Sequence, residues 1–214
     1  MFKSDGIFSR FMNCLFDILY VGILWIVCSL PVLTAGASTT AAYYAMAKCV
    51  RYKTGYIGRE FFKSFRENLK QSLPLTLLFY LAAGVWVTDI HYVWLHENSL
   101  NNALFVVLLL LGFLISGVMV YCCPLLSRFQ KKNLELLKTA TYVLFKFLPV
   151  TIGILLVFAL SCVGVYLMPW AVLVIPGVYL YVLSFPMEWI LHKLMPDVEE
   201  DSEEAKKWYY QKRH

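Results

Sequence analysis

Long apolar runs alternate with short basic stretches along this chain, and the alternation predicts its elements. The runs cover residues 14–33, 37–50, 72–95, 103–126, 147–167 and 170–191. Most approach the ~20 residues that a helix needs to cross a bilayer. The expectation is an all-α, polytopic membrane bundle of six segments in three hairpins, one domain over residues 1–195 with a charged tail at 196–214. Residues 37–50 are the short member, rising only about 21 Å as a helix. They read as a spanning or nearly spanning helix, with a re-entrant pair around Pro31 as the alternative.

Between the runs the period changes to that of surface helices. Residues 1–13 mix Lys3 and Arg10 with Phe2, Ile7, Phe8 and Phe11, the pattern of a short interfacial helix. In IGREFFKSFRENLKQ, Phe61, Phe62, Phe65 and Leu69 share one helical face while Arg59, Lys63, Arg66 and Lys70 line much of the rest. Such a helix lies on anionic lipid or docks its aromatic face against a partner. Pro74 is expected in the first turn of the next spanning helix. Pro124 is expected to end the fourth segment, and Phe129, Leu134, Leu137 and Tyr142 to mark a second surface helix. Leu73-Pro74-Leu75-Thr76 and Leu148-Pro149-Val150-Thr151 form a faint echo, each read as opening a spanning helix.

The stretch LPVLTAGASTTAAYY, residues 30–44, organises the rest. Pro31 lacks an amide donor and disfavours helix in Leu30, so the first helix should stop there. Gly36 is the expected tight turn. Ala37, Ser38, Thr39 and Thr40 follow as a small-residue packing face, because small side chains let membrane helices approach closely. The hydroxyls of Thr34, Ser38, Thr39 and Thr40 are placed to cap the next helix or to bond carbonyls freed by the break. Pro169, Pro176 and Pro186 punctuate the last hairpin and predict a kinked or interrupted final helix.

Composition turns this pattern into a class. The chain is 60% hydrophobic with a mean hydropathy of +0.64, far from the soluble range. Its net charge of +5 would suit nucleic acid were the cations not clustered beside apolar runs. All 19 Lys and Arg fall within residues 1–13, 48–70, 128–146 and 193–213. Positive flanks stay cytoplasmic, so both termini are expected inside, in a plasma membrane. The six cysteines lie in or beside apolar runs without C-x-x-C spacing and read as reduced core residues.

Candidate chemistry is sparse. Asp17, Asp89 and Glu188 are intramembrane polar candidates, since an ionisable group in a spanning segment is costly without a partner. Arg10 or a loop lysine is the expected partner of Asp17, and His192 and Lys193 those of Glu188. His91 and His96 stand five apart, which does not align two imidazoles on one helical face, so no metal site is expected. The chain carries no phosphate-binding glycine loop, no nucleophile elbow and no H-E-x-x-H. No enzyme activity and no cofactor are expected.

Residues 24–51 (LWIVCSLPVLTAGASTTAAYYAMAKCVR), 55–71 (GYIGREFFKSFRENLKQ) and 123–129 (CPLLSRF) carry a resemblance. On them the chain resembles the YesL-like family of small bacterial membrane proteins, a domain of unknown function. The resemblance implies a polytopic protein found beside carbohydrate ABC importers, and it supplies no catalytic residues. The expected function is a non-enzymatic accessory subunit of such an importer, bound to its permease subunits. Pro31, Gly36 and residues 37–40 would serve packing, and Arg59, Phe61, Phe62, Lys63, Phe65 and Arg66 docking. A stand-alone transporter with a midplane site at Pro31 and Pro176 is the alternative. A sensor of sugar availability is a weaker one, and a homo-oligomer is left open.

Overall fold

Small side chains decide which helix sits at the centre. The computed structural model describes residues 7–95, 99–129 and 131–195, and these fold as helices with no strand. α1 (Ile7–Ser29) ends at the Pro31 break, and a 3-10 turn (Val32–Thr34) leads into α2 (Ala35–Ala45). α2 continues as a π-helix over Met46–Arg51. α3 (Ile57–Leu95), α4 (Ser99–Arg128), α5 (Asn133–Lys146) and α6 (Leu148–Leu167) follow. A 3-10 stretch (Pro169–Leu173) then precedes α7 (Ile175–Leu194). α2 touches α1, α3, α4 and α7. Ala37, Ala41, Ala42, Ala45 and Ala47 are fully buried along it, and methyl-sized side chains let four helices close on one axis.

Four stretches are long and apolar enough to cross a membrane: Met12–Ser29, Ile57–Val93, Leu104–Arg128 and Leu148–Leu167. Their outward faces are apolar, with Val85, Leu110 and Leu160 exposed, which suits lipid rather than water as the surrounding solvent. The chain is therefore a membrane protein of the all-α class. Expected segment 37–50 is the buried central helix, and the first part of segment 170–191 is a 3-10 turn.

Several local expectations are corrected. No separate interfacial helix precedes α1 among the described residues, because α1 runs unbroken from Ile7. Gly36 is not a turn; it lies in the first turn of α2, where a Cβ would run into the Thr76 hydroxyl. Pro74 and Pro124 lie inside α3 and α4 and end neither helix. A ring nitrogen costs one i→i−4 bond, and packing on both sides keeps the helix going. The two Leu-Pro sequences thus differ in context: Pro149 opens α6, whereas Pro74 sits mid-helix. α5 exists as expected, but it buries Leu136, Ala140, Val143 and Leu144 and leaves Leu134 and Tyr142 exposed. The tail at 196–214 lies outside the described residues.

Candidate functional site

At the end where α2, α4 and α7 converge, the chain buries an ion pair. Arg128 Nη2 lies 2.5 Å from Glu188 Oε1, and each side chain is 1% exposed. Tyr43 donates its hydroxyl to the same oxygen at 2.6 Å, and Tyr52 donates to Oε2 at 3.4 Å. The Tyr52 hydroxyl also lies 3.0 Å from His192 Nε2. Arg51 donates from Nη1 to the Ser184 carbonyl and stacks its guanidinium 4.5 Å over the Phe185 ring. Partial burial lowers the His192 pKa, with Glu188 opposing and both arginines reinforcing the shift.

The π-helix positions this cluster. Its wide turn closes with Tyr52 N–H donating to Ala47 O at 3.1 Å, one residue beyond the α-helical partner. The same turn sends Lys48 to Glu60 of α3 at 2.7 Å. The chain then reverses through Lys53 and Gly55, both at positive φ (54° and 84°). Buried in a low dielectric, a carboxylate gripped by a guanidinium and two phenols ties three helices together, because each group would be costly to leave without the others. The chemistry of the arrangement is that of a clasp.

Glu188 was expected to pair locally. Its charged partner is Arg128, and His192 joins through Tyr52. Arg51, Tyr43 and Arg128 escaped the sequence reading, although a signal existed: Glu188 is the sole acid in the last apolar run, and such an acid calls for a base from another segment. Asp17 is half-buried on α1 and has no ion pair among the described side chains. Asp89 and His91 are exposed near the C-terminal end of α3, while His96 and Glu97 lie outside the described residues.

Around the Pro31 break the hydroxyls bond carbonyls rather than cap the helix. Thr34 Oγ1 donates to Cys28 O and Pro31 O, both at 2.7 Å, and Ser38 Oγ to Trp25 O at 2.9 Å. Trp25 Nε1 donates to Thr39 Oγ1 at 2.9 Å, and Thr40 Oγ1 to Gly36 O at 2.9 Å. The expected docking set divides. Phe61 is fully buried, with Phe65 stacked on it at 6.3 Å, so these two rings belong to the core. Arg59, Phe62, Lys63 and Arg66 stay exposed. Hydrophobic periodicity marked the face correctly as aromatic, but the fold spends most of it internally.

A second surface lies between the C-terminal half of α3 and the N-terminal half of α4. A groove of roughly 390 Å³ is lined by Leu78, Leu81, Ala82, Val85, Trp86 and Asp89 of α3 and by Leu108, Leu111 and Ile115 of α4. Trp86 locks the two helices by donating Nε1–H to Leu108 O at 2.7 Å and covering Gly112. A Cβ on Gly84 would meet nothing within 4 Å.

A family model described as a protein of unknown function, DUF624, matches residues 18–90, which take in α2, the second half of α1 and most of α3. No curated protein matches the chain. No solved structure matches it either.

Proposed function

We propose that the chain is a non-enzymatic accessory subunit of a larger membrane assembly and that it docks through the outer half of the α3–α4 hairpin. The observation that carries this reading is Gly84. Glycine inside a helix costs about 1 kcal/mol relative to alanine. Among the described residues nothing needs the space that Gly84 leaves, and Gly84 is exposed on a side of α3 other than the one that lines the apolar groove through Ala82, Val85 and Trp86. Another protein's helix would use that space, since close approach of backbones is how membrane helices associate.

The partner class comes from the sequence resemblance: the permease subunits of a carbohydrate ABC importer. The basic ends of α2 and α4 and the exposed Arg59, Lys63 and Arg66 then face the cytoplasm, with both termini, by the positive-inside rule. The buried clasp keeps that end rigid while the outer hairpin docks.

The test is purification in mild detergent from the native membrane through a C-terminal tag, with mass spectrometry of what accompanies the chain. Two permease chains and an ATPase are expected in stoichiometric amounts with the parent, and their loss with Gly84→Leu, a change for which the fold has room. Recovery of the parent chain alone, or only of its own oligomer, sinks the accessory reading and moves the weight to a stand-alone transporter. Undiminished recovery with Gly84→Leu removes the docking surface from it.

A further inference from the structure

Two rulers measure how deep the turn between α1 and α2 lies. On α3, the Tyr80 hydroxyl donates to Val32 O at 3.0 Å, and α3 continues to Leu95. Its apolar residues beyond Tyr80 run to Val87, before the exposed Asp89 and His91, about 10 Å of helix beyond the turn. On α4, Gly36 and Thr40 border a small cavity with Met119, Cys122 and Cys123, and the apolar stretch of α4 begins at Leu104. The offset there is about 22 Å of helix. The exposed residues of α3 up to Val87 and of α4 from Leu104 are apolar, so the bilayer's hydrocarbon extends along them. A hydrocarbon core is about 30 Å thick, and a turn about 10–22 Å short of its outer edge lies inside it, even where the helices tilt.

The chemistry of the turn agrees. Leu30, Val32 and Leu33 at its tip are 74%, 63% and 52% exposed. No charged residue occurs between Asp17 and Lys48. A turn facing water would carry polar side chains and leave its carbonyls to the solvent. Here Cys28 O and Val32 O are taken by the Thr34 and Tyr80 hydroxyls, and the Thr34 N–H donates to Pro31 O at 2.8 Å. Non-helical backbone at membrane depth requires such internal satisfaction.

We infer that α1 and α2 form a re-entrant hairpin, entering and leaving the bilayer on one side, with Leu30, Val32 and Leu33 as a tip whose partner is lipid acyl chain. The parity of the basic stretches is unaffected, because a re-entrant pair crosses zero times. The expected spanning role of residues 37–50 gives way, and the outer leaflet above the tip is left open beside α3 and α4. The inference stands apart from the docking reading and uses the purified chain alone.

Single cysteines at Val32 and Leu33, with His91→Cys as the outer reference, carry a nitroxide in phosphatidylcholine–phosphatidylglycerol vesicles. The native thiols that are half-buried or exposed, Cys14, Cys28, Cys123 and Cys162, are replaced by alanine, and each labelled protein is required to melt with its parent. Collision with oxygen, which concentrates in hydrocarbon, is compared with collision with a water-soluble nickel complex. Positions 32 and 33 should show high oxygen access and nickel access several-fold below that of position 91. Nickel access equal to that of position 91 would make the turn an aqueous loop and overturn the inference. Low access to both probes would mean that protein, such as a second copy, covers the tip, and would overturn the lipid contact.

Discussion

Glu188 carries the charge that lets two arginines approach the core. Replacing it with glutamine keeps the shape and removes the counter-charge from a guanidinium that water does not reach. Breaking a buried pair on one side costs about 3–5 kcal/mol. Glu188→Gln should therefore lower the unfolding midpoint in mild detergent sharply. Arg128→Met together with Glu188→Leu should cost less than the sum of the singles, because an apolar pair leaves no charge stranded. Additive losses would show that the two side chains do not act as a pair. Tyr43→Phe should cost about 1.5–3 kcal/mol, the range of a hydrogen bond to a charged group. At this scale the sequence marked Glu188 as a residue in need of a partner and looked for one within a helical turn. Local spacing is visible along a chain, whereas Arg128 is brought in by the packing of α4 and α7 on α2.

At the scale of elements, glycines report which helix faces are in use. A Cβ on Gly177 would run into the Ile18 carbonyl oxygen, a backbone atom that can yield only if α1 and α7 part. Gly177→Ala should destabilise the fold. Gly153, on α6, has nothing within 4 Å of a Cβ, so Gly153→Ala should stabilise by about 0.5–1 kcal/mol through helix propensity. Paired melts of the two variants check this, and a loss at Gly153 would reveal a contact there. Prolines were harder to read. Pro31 stops a helix as expected, while Pro74, Pro124 and Pro186 ride inside theirs. The ring's local penalty is the same in each case, and the neighbours that stabilise the surrounding turns are supplied by other segments.

For the whole molecule, the aromatic face of α3 separates folding from docking. Phe61→Ser should unfold the bundle, since loss of a buried phenylalanine side chain costs about 3–5 kcal/mol. Phe62→Ser, at a site 44% exposed, should leave the melt unchanged. Equal melts for the two variants would contradict the placement of Phe61 in the core. A docking experiment on this helix must use Phe62, Arg59, Lys63 and Arg66, because any effect of Phe61 is an effect on the fold.

Hydropathy along the chain determined that this is an all-α membrane protein, where its basic stretches cluster and that its first helix breaks at Pro31. These follow from one-dimensional patterns, because transfer to lipid is settled residue by residue and a missing amide acts on its own helix. The length of α3, the partner of Glu188 and the central place of α2 were decided only by tertiary structure. Each depends on the register of one helix against another, and that register is set by contacts among residues tens to more than a hundred positions apart, such as Tyr43 with Glu188, which no local pattern encodes.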